Sequence, residues 1–113
     1  MLKVYGIKTW DSVRKALRFF KDNNIEADFF DTKKESPQSH LIQSWINATN
    51  IDLVFNAKGK KYRDLKLKEL NLDDTGKYEW LCKEPMLLKR PVVDFNGKVI
   101  VGFNEKSYKN SFL

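Results

Sequence analysis

The chain has 113 residues, 42% hydrophobic, 13% aromatic and 32% charged, a composition that excludes a disordered segment and predicts one folded domain over residues 1–113. Its net charge of +6, from 21 basic and 15 acidic residues spread along the sequence, predicts a mixed-sign surface with mild attraction to nucleic acid or other acidic partners; charge alone does not make a nucleic-acid protein, and no direct nucleic-acid binding is expected. Cys82 is the only cysteine and His40 the only histidine, which excludes an internal disulfide, a CxxC redox pair and a cysteine-based zinc site.

No apolar run approaches the roughly 18 residues that a membrane span needs, and the opening MLKVYGI leads into a charged helix instead of a signal-peptide core. A cytoplasmic protein without a membrane partner is the expectation.

Leu2 to Tyr5 is short and alternates weakly, as a buried first strand does. From Asp11 the spacing changes: Val13, Ala16, Leu17 and Phe20 fall on one helical face, and Arg14, Lys15, Arg18, Lys21 and Asp22 on the other. Thr9 or Asp11 is the expected cap, and Asn23-Asn24 the expected stop. Ile25 to Asp31 reads as a second strand, so that strand, helix and strand form a right-handed βαβ unit with parallel strands.

Ser36-Pro37 is expected to open the next helix, with Leu41, Ile42, Trp45 and Ile46 as its apolar face, ending near Thr49. Further helical pieces are predicted at Ile51 to Phe55, Tyr62 to Leu72 and Asp74 to Lys83, broken by Lys58-Gly59-Lys60 and interrupted at Gly76. The basic segment Lys58-Gly59-Lys60-Lys61-Tyr62-Arg63 lacks the Gly-rich phosphate-loop pattern and an aromatic series for single strands, and reads as a solvated loop.

Strand character returns at Pro91 to Phe95 and Lys98 to Phe103. The Asn96-Gly97 pair between them is a strong hairpin signal, because both central positions of a type I′ turn need positive φ. A last helix, Asn104 to Phe112, is expected to pack Tyr108 and Phe112 onto the sheet. The fold class is therefore α/β, with a four-stranded mixed sheet and a helical insertion, from about residue 36 to about residue 85, between the second and third strands.

Three stretches, YGIKTWDSVRKA, VFNAKGKKYRDL and MLLKRPVVDFNGKVIVGFNEKSY, resemble in their order the ArsC/Spx family, the arsenate-reductase-like branch of thioredoxin-fold proteins. The resemblance covers nearly the whole chain and is most specific in LLKRPVV and VGFNEKSY. It implies a thioredoxin-like βαβ…ββα core carrying the helical insertion. It also implies a nucleophilic cysteine at the position of Trp10, which attacks an oxyanion in the arsenate reductases before glutathione and glutaredoxin reduce the adduct. Spx-type regulators carry a CxxC switch there and bind RNA polymerase.

The chemistry of that position is physical: a thiolate at a helix N-terminus gains from the dipole and the free N–H donors, so its pKa falls. Tryptophan has no ionisable thiol, and Val13 removes the second CxxC position. Cys82, in YEWLCKEP, reads as a buried structural thiol. Arg90 and Pro91 match the arginine and the cis-proline that the family places beside its active-site loop. Arg90 is expected to take an anion or thiol-peptide together with the N–H groups near Asp11 and Ser12.

Asn56 and Gly102 stand where oxyanion-reducing members carry further arginines, and Asn50 stands where Spx members carry a glycine. Trp10 itself is expected either to fill the hollow of the lost thiol site over Pro91 or to contact a partner protein. These residues predict a monomeric, non-catalytic binding or regulatory module without a metal or a resident cofactor, glutathione being the candidate small ligand. The alternatives are a glutathione/glutaredoxin-linked oxidoreductase and a regulator binding RNA polymerase; the partners implied are accordingly RNA polymerase, a glutaredoxin-like protein or glutathione.

Overall fold

The computed structural model describes residues 1–113, which divide into two units: Met1–Asp31 with Arg90–Leu113, and Thr32–Lys89. The first contains β1 (Leu2–Gly6), α1 (Asp11–Asp22), β2 (Asp28–Asp31), β3 (Val92–Phe95), β4 (Lys98–Val101) and α6 (Glu105–Phe112). The second contains α2 (Ser39–Ala48), α3 (Ile51–Val54), α4 (Lys60–Asp64) and α5 (Asp74–Lys83), with 3-10 turns at Leu67–Leu70 and Pro85–Leu87.

In the first unit the strand order is β2-β1-β3-β4. β1 runs parallel to β2 and antiparallel to β3, and β3 runs antiparallel to β4. With α1 crossing over between the parallel pair, this is the thioredoxin-like arrangement that the sequence resemblance implies. Asn96 and Gly97 have φ of 49° and 82°, as the tight turn between β3 and β4 requires.

α1 buries Val13, Ala16, Phe19 and Phe20, a stripe that follows from helical spacing. It ends in a Schellman motif. Asn24 is left-handed at φ 56°, Asn24 N–H donates to Lys21 O at 3.1 Å, and Ile25 N–H donates to Phe20 O at 2.8 Å. The core joins Phe19 and Phe20 with Leu2, Val4, Ala16, Val93 and Tyr108. Tyr108 meets Phe19, Phe20, Phe103 and Phe112 at centroid distances between 4.8 and 5.6 Å, so the last helix packs as expected. Its hydroxyl donates to Gly102 O at 2.7 Å, which satisfies the one polar atom of a ring with no exposed surface.

Some boundaries differ from the sequence expectation. β2 starts at Asp28, not Ile25: its pairing with β1 begins at Lys3 and Asp28, and the Ile25 N–H is taken by Phe20 O in the motif that ends α1. α2 starts at Ser39, not at Ser36-Pro37. Gln38, the actual cap, is extended at φ −67°, ψ 149°, so Pro37 and Gln38 lie ahead of the first helical residue.

The helix expected over Tyr62 to Leu72 is broken. Lys66 and Asn71 take left-handed φ of 53° and 47° and bracket the Leu67–Leu70 turn. The Lys58 to Arg63 segment is no plain loop either: its last four residues open α4.

Gly76 does not interrupt α5, since its N–H is taken by the capping Asp73 Oδ1 at 2.8 Å. The second unit is built on Ile42, Trp45, Val54, Leu67, Leu81 and Leu87, each at most 1% exposed. No helix of the chain is long and apolar enough to cross a membrane.

Candidate functional site

The junction of β1 and α1 is shaped first by its backbone. Gly6 closes β1 where the strand meets the helix; a Cβ there would lie 2.7 Å from Val13 Cγ2, so no larger residue fits without displacement. The chain then turns, with Trp10 N–H donating to Ile7 O at 3.1 Å. Trp10 is the N-cap of α1, extended at φ −93°, ψ 134°, and it supplies no side-chain acceptor.

Neither expected cap acts. The Asp11 carboxylate pairs with Arg14, and Thr9 contributes only its carbonyl, which accepts from Arg14 Nη1 at 3.3 Å. The first helical bond is Arg14 N–H to Trp10 O at 3.0 Å. The N–H groups of Asp11, Ser12 and Val13 therefore stand ahead of the helical ladder with no capping side chain. That is where partial positive charge concentrates.

Arg90 and Pro91 enter β3 next to this turn, and the peptide bond between them is cis. Ser12 Oγ donates to Arg90 O at 3.0 Å, tying the loop before β3 to the first turn of α1. Gly102 N–H donates to Pro91 O at 2.8 Å, which holds the other side of the proline.

The Arg90 guanidinium lies over the face of the Trp10 indole, a cation–π stack. The ring thus covers Arg90, the residue before the expected Pro91. Only 7% of Arg90 is exposed, and burial pushes its pKa down to about 9, still cationic at neutral pH. The structure therefore brings Trp10, Ser12, Arg90 and Pro91 together and leaves the Asp11 side chain exposed and engaged elsewhere. An open, bidentate Arg90 is not what it contains: the indole screens the cation from water.

Cys82 lies in α5, in the other unit. It is half-buried instead of fully buried, and it stands beside Tyr78, whose pKa is raised first of all by that thiol. His40 is exposed, and no group of His, Cys, Asp and Glu is arranged to hold a metal ion. Sequence reasoning missed the Trp10–Arg90 stack, because the two residues are far apart in sequence and no local pattern joins them.

A parallel β1–α1–β2 unit continued by a β3–β4 hairpin, with the site at the β1–α1 turn facing a cis-proline, defines a thioredoxin-like protein of the arsenate-reductase-like kind. The chain belongs to the ArsC family, whose model matches residues 5–111. It is 34% identical to an uncharacterized Haemophilus influenzae protein, covering 99% of both chains. It is 26% identical to a Neisseria meningitidis arsenate reductase over 89% of each chain. It is also 25% identical to the Bacillus subtilis regulatory protein MgsR, over 91% of this chain and 83% of that one. The solution structure of a Staphylococcus aureus protein superposes with a TM-score of 0.84 at 32% identity, covering 100% of this chain and 99% of that one.

Proposed function

We propose that this protein is an ArsC-family member without a redox thiol at the β1–α1 turn, a non-catalytic cytoplasmic module that acts by binding or regulation. The observation that carries the reading is the Trp10 indole at the uncapped start of α1, stacked on Arg90. A thiolate at that point would be activated by the helix terminus and by the nearby cation, whereas an indole offers only an aromatic face and one N–H donor. The sole thiol of the chain, Cys82, belongs to a different unit. A relative that is named a regulatory protein supports the regulatory side of the reading.

The reading is tested by supplying arsenate, glutathione and glutaredoxin to the wild-type protein and to Cys82→Ser. Neither is expected to turn over. Turnover in the wild type that disappears in Cys82→Ser would make the protein a thiol-dependent reductase and end the proposal.

A second reading is favoured by the three N–H groups of Asp11, Ser12 and Val13, which no side chain caps. In it, a carboxylate of glutathione or another small anion is bound there, with Arg90 adding positive potential behind the indole. Saturable amide shifts over Trp10 to Val13 on titration with glutathione support it. Their absence removes it and leaves the indole as a protein-binding surface.

A further inference from the structure

The second unit contains a groove of about 520 Å³ lined by Ala57, Lys58, Tyr62, Arg63, Lys66 and Lys68. Glu69 is the one carboxylate on its wall, against four cations. The nearest other acid in the segment, Asp64, is taken by Lys60 at 2.6 Å. Lys58, Lys66 and Lys68 are exposed and form no ion pair. The groove therefore carries a net positive charge.

The walls are fixed by the backbone. Asn56 Oδ1 accepts from Lys58 N–H at 3.1 Å. Gly59 allows that side chain to lie against the turn, since a Cβ would come within 2.7 Å of Asn56 Nδ2. Arg63 Nη1 donates to Lys58 O at 2.9 Å, which closes the loop onto α4. The left-handed Lys66 turns the chain so that Lys66 and Lys68 line the same groove as Lys58. Tyr62, held edge-on by Phe55 with centroids 5.8 Å apart, gives a rigid apolar wall, and Leu65 and Leu70 of the same segment are exposed.

We propose that this groove docks an acidic polypeptide segment carrying an apolar side chain, with Lys58, Lys66 and Lys68 reading the charge and Tyr62 and Ala57 receiving the apolar group. The donor set argues for a peptide over a phosphate. Arg63 Nη1 is held by Lys58 O, and the other three cations are lysines, which act as flexible point charges and not as a bidentate fork. One aromatic ring, already held by Phe55, is no stacking platform for successive bases. Charge around an apolar floor steers and retains an acidic chain, with binding that weakens as salt rises.

The test uses the full chain and a short fluorescein-labelled peptide that alternates glutamate with leucine, followed by anisotropy and by amide shifts. The glutamine version of the peptide and a single-stranded oligonucleotide of equal charge serve as comparisons. We expect saturable shifts confined to residues 57–69. We expect a loss of affinity of about tenfold between about 0.05 M and about 0.5 M salt. The triple variant Lys58→Gln, Lys66→Gln, Lys68→Gln should lose about tenfold as well. Should the triple variant fold poorly, the single charge reversal Lys68→Glu at an exposed position should weaken binding several-fold on its own.

Four results would each overturn the proposal: no binding of the acidic peptide, equal binding of the glutamine peptide, shifts outside the groove, or tighter binding of the oligonucleotide than of the peptide.

Discussion

Replacing Tyr108 by phenylalanine isolates one buried hydrogen bond, and the cost should depend on pH in a defined direction. The ring is fully buried among Phe19, Phe20, Phe103 and Phe112, so phenylalanine keeps the packing. What is lost is the 2.7 Å bond to Gly102 O, and with it a partner for the carbonyl of a glycine at φ 84°. A loss of about 1–2 kcal/mol at neutral pH follows.

Burial holds the Tyr108 hydroxyl far above its ordinary pKa. Above pH ~10 the unfolded chain releases this proton while the folded chain keeps it, so the unfolded state binds fewer protons and wild-type stability falls as pH rises. At pH ~11 that loss is about 1.4 kcal/mol for this one group, and the variant does not share it. All other ionisable groups are common to both proteins and cancel in the difference. Urea denaturation of both proteins at pH ~7 and pH ~11 should therefore show a destabilisation that largely disappears at the higher pH. A penalty of the same size at both values would refute the buried, proton-holding hydroxyl.

Gly6→Ala should destabilise by about 1–3 kcal/mol, because the new methyl group would have to displace Val13 from 2.7 Å; chemical denaturation checks it. Asn104→Ala should cost about 1 kcal/mol, since Asn104 Oδ1 accepts from Ser107 N–H at 3.0 Å and caps α6. In the same variant, amide exchange at the start of α6 should quicken while exchange in β1 does not change.

Local chemistry made much of the first unit readable. Asn96-Gly97 announces its turn because few residue pairs accept two positive φ values in sequence. The α1 stripe and the aromatic spacing of α6 announce which faces are buried. Where tertiary pairing decides, the sequence is mute. The length of β2 depends on its pairing with β1 and on the helix end that takes the Ile25 N–H, and no feature of Ile25 to Ala27 records either.

The break in the predicted Tyr62 to Leu72 helix comes from Lys66 and Asn71 in left-handed backbone, and lysine carries no sign of it as glycine would. At the candidate site, the resemblance placed Trp10, Arg90 and Pro91 beside one another. The stack that buries the arginine under the indole was not legible, because it joins residues distant in the chain. Capping rules failed for a related reason: Asp11, the natural cap by type, is drawn to Arg14 on the outer face of its own helix.

The central claim is that Trp10 stands where the fold would activate a thiolate, at the open N-terminus of α1 beside Arg90. Trp10→Cys in a Cys82→Ser background leaves a single thiol at that point, and its titration can be followed by thiolate absorbance in the ultraviolet. The account predicts a pKa of about 7 or below, against about 8.5 for an unperturbed cysteine. A thiol that titrates at about 8.5 or above would contradict it, because neither the free N–H groups nor the Arg90 cation would then act on that position.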